Sequence, residues 1–139
     1  MKSIVCSTFA AWVAALLLAT PAAVAGPFVD PLDKPADMSP LAQYSQLLAI
    51  TRAGSRLVAA GMRGHVLYSD DEGRTWVQAR VPVSVTLTAL SFPTPRQGWA
   101  VGHNGVVLHS ADGGESWELQ LDGRRTAKDM VAFYEGLAR

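Results

Sequence analysis

Residues Ser69-Asp70-Asp71-Glu72-Gly73-Arg74-Thr75-Trp76, SDDEGRTW, return 41 positions later as SADGGESW, Ser110 to Trp117. Serine, aspartate, glycine, a hydroxyl residue and tryptophan keep their places, giving S-x-D-x-G-x-[ST]-W. The pattern reads as a strand reversal. A carboxylate at Asp71 or Asp112 can accept hydrogen bonds from N–H groups of its own loop, donors that a sheet ladder leaves unpaired. Gly73 or Gly114 can take the positive φ that closes the loop. Thr75 or Ser116 restarts the strand, and Trp76 or Trp117 offers a large apolar surface to packing between sheets. Ser69 and Ser110 complete a structural set. Asp70, Asp71 and Glu72 are adjacent carboxylates, but a calcium loop needs ligands at alternate positions before its glycine and a distal glutamate. No metal or cofactor site is expected.

The repeat extends beyond the octets. Ala59, Gly61, Gly64, Val66 and Leu67 recur as Ala100, Gly102, Gly105, Val107 and Leu108. Four short apolar runs surround each octet: LLAIT, RLVAA, HVLYS and TWVQA, then TLTALSF, GWAVG, VVLHS and SWELQL. Four strands per unit at a period of about 40 residues is the signature of propeller blades. The segments GMRG (61–64) and GHNG (102–105) suit two-residue hairpin loops whose central positions take positive φ. The fold expected is all-β: a partial β-propeller of two four-stranded antiparallel blades, 47–81 and 85–122. An N-terminal signal helix precedes it. A short C-terminal helix over 123–139 follows, with Met130, Phe133, Tyr134 and Leu137 at helical spacing.

The octets, and above all GWAVGHNGVVLHSADGGESWELQ, resemble a repeat of the photosystem II stability and assembly factor family. That family is similar to the wider group of Asp-box, or BNR-repeat, propellers that includes sialidases. The resemblance implies an exported, non-catalytic propeller that binds a membrane-protein client or serves an envelope complex. The client need not belong to photosynthesis. The alternative it implies is a sialidase-like glycoside hydrolase or carbohydrate-binding fragment. Such an enzyme requires a gathered arginine cluster and a tyrosine nucleophile with an acidic partner. Tyr44, Tyr68 and Tyr134 show no such arrangement, and no catalytic residue can be named.

Charge is bland, with 12 basic and 12 acidic side chains, so nucleic acid is not an expected partner. Lys2 precedes a long uncharged stretch that ends in Thr20-Pro21 and Ala23-Val24-Ala25, the layout of a signal peptide (1–25) cut after Ala25. Cleavage would deliver a periplasmic or secreted protein and remove Cys6, the single cysteine. The alternative is a membrane anchor formed by residues 4–25. Residues 26–46 carry Pro27, Pro31, Pro35 and Pro40, an extended lead-in in which a helix or interior strand is disfavoured.

In a four-stranded meander successive turns alternate between the two ends, so the GMRG and GHNG loops lie opposite the octets. Met62, Arg63, His103 and Asn104, with the linker Arg80–Val85, form the expected partner-binding rim. Arg63 suits a carboxylate or phosphate on that partner. Trp99 is expected in the core between blades. Two blades do not close a ring, since propellers use about 4 to 8. The expectation is a truncated piece of a longer protein, whose open blades are prone to self-association.

Overall fold

The computed structural model describes residues 26–138, and the signal helix expected over 1–25 lies outside them. Eight strands form two separate meanders: β1 (Leu47–Ala53), β2 (Arg56–Gly61), β3 (Val66–Ser69) and β4 (Val77–Gln78), then β5 (Leu87–Ser91), β6 (Gly98–Gly102), β7 (Val107–Ser110) and β8 (Glu118–Leu121). Each sheet is antiparallel in chain order. The inner strands meet, β1 and β2 lying against β5. This is a partial β-propeller of two blades. β1 and β5 carry equivalent irregularities, at Leu47/Ala49 and Leu87/Ala89, which curl the first strand of each blade in the same way.

Alternation decides which side chains meet between the blades. Val58, Ala60 and Val66 come from the first sheet, and Leu87, Ala100, Leu108 and Trp117 from the second. Val81, Val83 and Val85 of the connector join them, because its period-two pattern turns all three inward. A fully buried Val or Leu contributes about 1.5–3 kcal/mol, so this apolar layer dominates the adhesion of the sheets. The edge of Phe92 meets the Trp117 ring at 5.8 Å between centroids.

Three expectations need correcting. Trp99 lies on the outer face of β6 against His109, because neighbouring Gly98 and Ala100 are the residues turned inward. The GMRG and GHNG hairpins close over three residues: Gly61 N–H donates to the His65 carbonyl and Gly102 N–H to that of Val106. Positive φ therefore falls on Arg63 and Gly64, and on Asn104 and Gly105, instead of on Met62 or His103. β4 is only two residues long, because after Ala79 the chain turns to the second octet, where Arg80 N–H donates to the Glu115 carbonyl.

The lead-in contains one short 3-10 turn, Ala42–Tyr44, and otherwise runs along the connector. Ala36 N–H donates to Val81 and Ser84 N–H to Pro31. Leu32 and Ala36 enter the core beside the connector valines. The Gln78 amide bonds Ser39 N–H and the Asp37 carbonyl, which covers part of the β4 edge. After β8, helix α1 (Gly123–Leu137) begins at Asp122, whose carboxylate accepts the Arg125 N–H at 2.8 Å. Arg124 makes a two-pronged ion pair with Asp33 of the lead-in, both contacts at 2.8 Å. None of the residues of α1 is buried, and Met130, Phe133, Tyr134 and Leu137 remain exposed. Among the described residues no helix is long and apolar enough to cross a membrane.

Candidate functional site

Both octets adopt one hydrogen-bonded turn. The Ser69 hydroxyl donates to Asp71 Oδ1 at 2.8 Å and accepts the Gly73 N–H at 2.8 Å. Asp71 then receives Thr75 twice, its N–H on Oδ1 at 2.8 Å and its hydroxyl on Oδ2 at 2.6 Å. Ser110, Asp112, Gly114 and Ser116 repeat each contact, and Asp112 gains the Glu115 N–H. The Trp117 indole N–H closes back on the Gly114 carbonyl at 3.1 Å. Trp117 is buried, whereas Trp76 is only half-buried, because a second sheet covers the former and not the latter. Both oxygens of each aspartate are occupied by the loop itself, which leaves these carboxylates poorly placed for acid-base work.

The contacts also set the charge of the turns. The Thr75 hydroxyl, then the Thr75 N–H and the Ser69 hydroxyl, hold Asp71 down at about 2 from its ordinary 3.8. For Asp112 burial is the largest single influence and pushes upward, but the bonds from Ser116, Ser110 and Glu115 together bring it below the ordinary value. A carboxyl with a depressed folded pKa stabilises the fold fully above its unfolded pKa, and that contribution is lost as pH falls through the folded value. The melting temperature should accordingly drop between about pH 4 and pH 2. In Asp71→Asn the deficit relative to wild type should be full at pH 7 and should close toward pH 2, as read by thermal melts across that range.

Sequence reasoning did not find the charged clasp between the blades. Arg56 at the start of β2 grips Asp70 with two bonds, 2.6 and 2.8 Å, and reaches Glu115 at 3.0 Å and the Gly113 carbonyl at 3.3 Å. Its guanidinium lies over the Tyr68 ring at 4.4 Å. The two octets are thus tied to one cation, which Asp70 foremost holds firmly in its charged form. Glycine suits position 113 because its φ is 76° and a Cβ there would stand 3.1 Å from the Pro95 carbonyl oxygen.

At the opposite end lie the hairpin loops. Met62 and Arg63 border an open cleft of about 610 Å³ with Asp37, Leu41, Tyr44, Ser45 and His65. Both residues are exposed, and Arg63 is held at φ 56°. His65 is buried beneath them, its Nδ1 3.0 Å from Ser45 Oγ. The Ser45 hydroxyl donates to the Ala42 carbonyl, so His65 Nδ1 is the donor in this pair. Burial, reinforced by Arg63, depresses the His65 pKa, which keeps the ring neutral. His103 and Asn104 occupy the matching loop of the second blade but do not line this cleft. They lie instead beside the start of α1, where the Asn104 carbonyl faces Gly123. The connector, expected on this rim, has its valines in the core.

The model of the family described as photosynthesis system II assembly factor YCF48 matches residues 74–134. Over those residues the chain is similar to the photosystem II assembly factor-like family of BNR-type propellers. Two curated relatives show the same likeness. The chloroplastic photosystem II stability/assembly factor HCF136 of Cyanidioschyzon merolae is 38% identical over 80 residues, covering 56% of this chain and 17% of that protein. The photosystem II assembly protein Ycf48 of Thermosynechococcus vestitus is 32% identical over 71 residues, covering 48% and 20%. The chain therefore spans a fifth or less of the length of these two members. A solved structure, YCF48 bound to D1 peptide, aligns with a TM-score of 0.49 and 26% identity over 55% of this chain and 26% of that one. The family match begins inside the first octet and runs into α1, so it includes the second turn, His103 and Asn104 but not Met62 or Arg63.

Proposed function

We propose that the chain is a non-catalytic, exported propeller scaffold that holds a segment of a membrane-protein client during assembly of a membrane complex. The observation that carries this reading is the cleft at the rim, where an exposed arginine stands beside exposed apolar side chains. Arg63 offers a guanidinium to an acidic group, while Met62, Leu41 and Tyr44 offer apolar contact on either side. Such a mixture suits an extended peptide with a carboxylate and nearby apolar residues. The relatives, photosystem II assembly and stability factors, support the same class of role. Residues 1–25 would direct export, and the octets would act as Asp boxes that fix the turns at the far end.

In cross-linked recovery of membrane proteins, Arg63→Glu should reduce capture of the client by about tenfold, the loss of roughly 1.4 kcal/mol of binding. Arg63 is exposed, so the variant should melt as wild type does. Unchanged capture would move the site away from this rim. On this reading the purified chain should not hydrolyse sialosides. Measured turnover would replace the scaffold with an enzyme.

A further inference from the structure

Residues paired across antiparallel strands share a face. In the first sheet, Thr51, Val58 and Tyr68 share one face with Ala60 and Val66, and that face packs on the second sheet. Ile50, Ala59 and Leu67 share the opposite face. In the second sheet the face packed on the first carries Leu90, Ala100 and Leu108, and Ser91, Trp99, His109 and Val101 face away. Each blade thus has a donor face and a receiving face. Within the molecule the second blade's donor face is seated on the first blade's receiving face.

Equivalent positions show what this leaves open. Val58 and Ala60 on the occupied receiving face are both 0% exposed, whereas Trp99 and Val101 at the same positions of the second blade are 41% and 40% exposed. On the donor side, Trp117 is 4% exposed, but its counterpart Trp76 is half-buried, and Ile50, counterpart of the packed Leu90, is 63% exposed. The lead-in turn covers the outer part of that donor face, where Pro40 and Ala42 lie beside Leu67, Trp76 and Gln78, and Ala59 and Leu67 are already buried. Nearer β1 a hollow of about 250 Å³ remains, lined by Leu48, Ile50, Ala59 and Trp76.

We propose that the open donor face of the first blade, centred on Ile50 and Trp76, docks on the open receiving face of a second copy, centred on Trp99 and Val101. The occupant is a second copy because the chain carries both halves of one interface. Ala59, Leu67 and Trp76 are the sequence equivalents of Ala100, Leu108 and Trp117, and Ile50 pairs with Ala59 as Leu90 pairs with Ala100, the set that already packs on such a face. Trp99, larger than the Val58 it replaces, enters the hollow beside Ile50. The contact is head to tail, so it propagates or closes into a ring.

Disulfide trapping tests the geometry in the full chain, with Cys6→Ser removing the native thiol. Ile50→Cys and Trp99→Cys proteins, mixed and mildly oxidised, should give mixed dimers in excess over homodimers of either variant, since bridging needs Cβ atoms within about 4.5 Å. A Thr94→Cys control, on an exposed turn of the other end, should not cross-link above background. In sedimentation, wild type should form species larger than a monomer, and Ile50→Glu and Trp99→Glu should each abolish them with strand circular dichroism unchanged. Monomeric wild type at the highest soluble concentration, homodimers alone, or trapping no better than the control would overturn the proposal. Those results would leave the open faces to a further blade or a different partner.

Discussion

Trp117→Ala should lower the unfolding free energy by about 3 to 5 kcal/mol, the usual cost of emptying a buried tryptophan site. The indole is enclosed between the sheets, meets Phe92 edge-on, and its N–H returns to Gly114 within the turn. Alanine would remove the apolar surface, leave a cavity between the blades and unpair the Gly114 carbonyl. Trp99→Ala provides the contrast. That ring lies on an open face against His109, and its loss should cost about 1 kcal/mol, on the scale of one aromatic contact. Urea unfolding at concentrations low enough to keep the chain monomeric separates the two. Equal losses would mean that exposure is not what distinguishes the two positions.

Gly64→Ala should be the most damaging single methyl in the hairpin loops. The residue sits at φ 71°, and a Cβ would stand 2.1 Å from the Val83 carbonyl oxygen. The left-handed backbone alone costs about 1 to 2 kcal/mol with a side chain, and the backbone clash adds to it. A total of about 3 kcal/mol is expected. Arg63→Gly one position earlier should act in the opposite direction. Arg63 holds a left-handed conformation with a full side chain in the open, so glycine relieves strain of about 1 kcal/mol. Thermal melts of the two variants should move apart. A fall in both would show that Arg63 contributes contacts that outweigh its backbone strain.

The octets were legible because their chemistry is local. Ser69, Asp71, Gly73 and Thr75 bond one another within four positions along the chain, so spacing alone encodes the turn. The clasp was not legible for the converse reason. Arg56 lies 14 positions from Asp70 and 59 from Glu115, and nothing in an isolated arginine announces either partner. Trp99 was misread because hydrophobicity states that a residue tolerates burial, not that a neighbour exists on its side of the sheet. The GMRG and GHNG segments misled by a single position. Glycine at the fourth place suggests a frame, but the close approach of Val83 to Gly64 and of Gly123 to Gly105 makes it part of the loop. Helix α1 begins seven residues before its apolar stripe because Asp122 caps it.

The connector between the blades has a consequence for how this architecture can be cut and copied. Arg80 runs parallel to Ser116, its N–H bonded to the Glu115 carbonyl and its carbonyl to the Trp117 N–H. The second octet is therefore finished by backbone borrowed from the first repeat. A gene can duplicate 41 codons cleanly, but the object that folds is the seam between two such copies. An excised single repeat would carry a correct sequence with half of its seam missing.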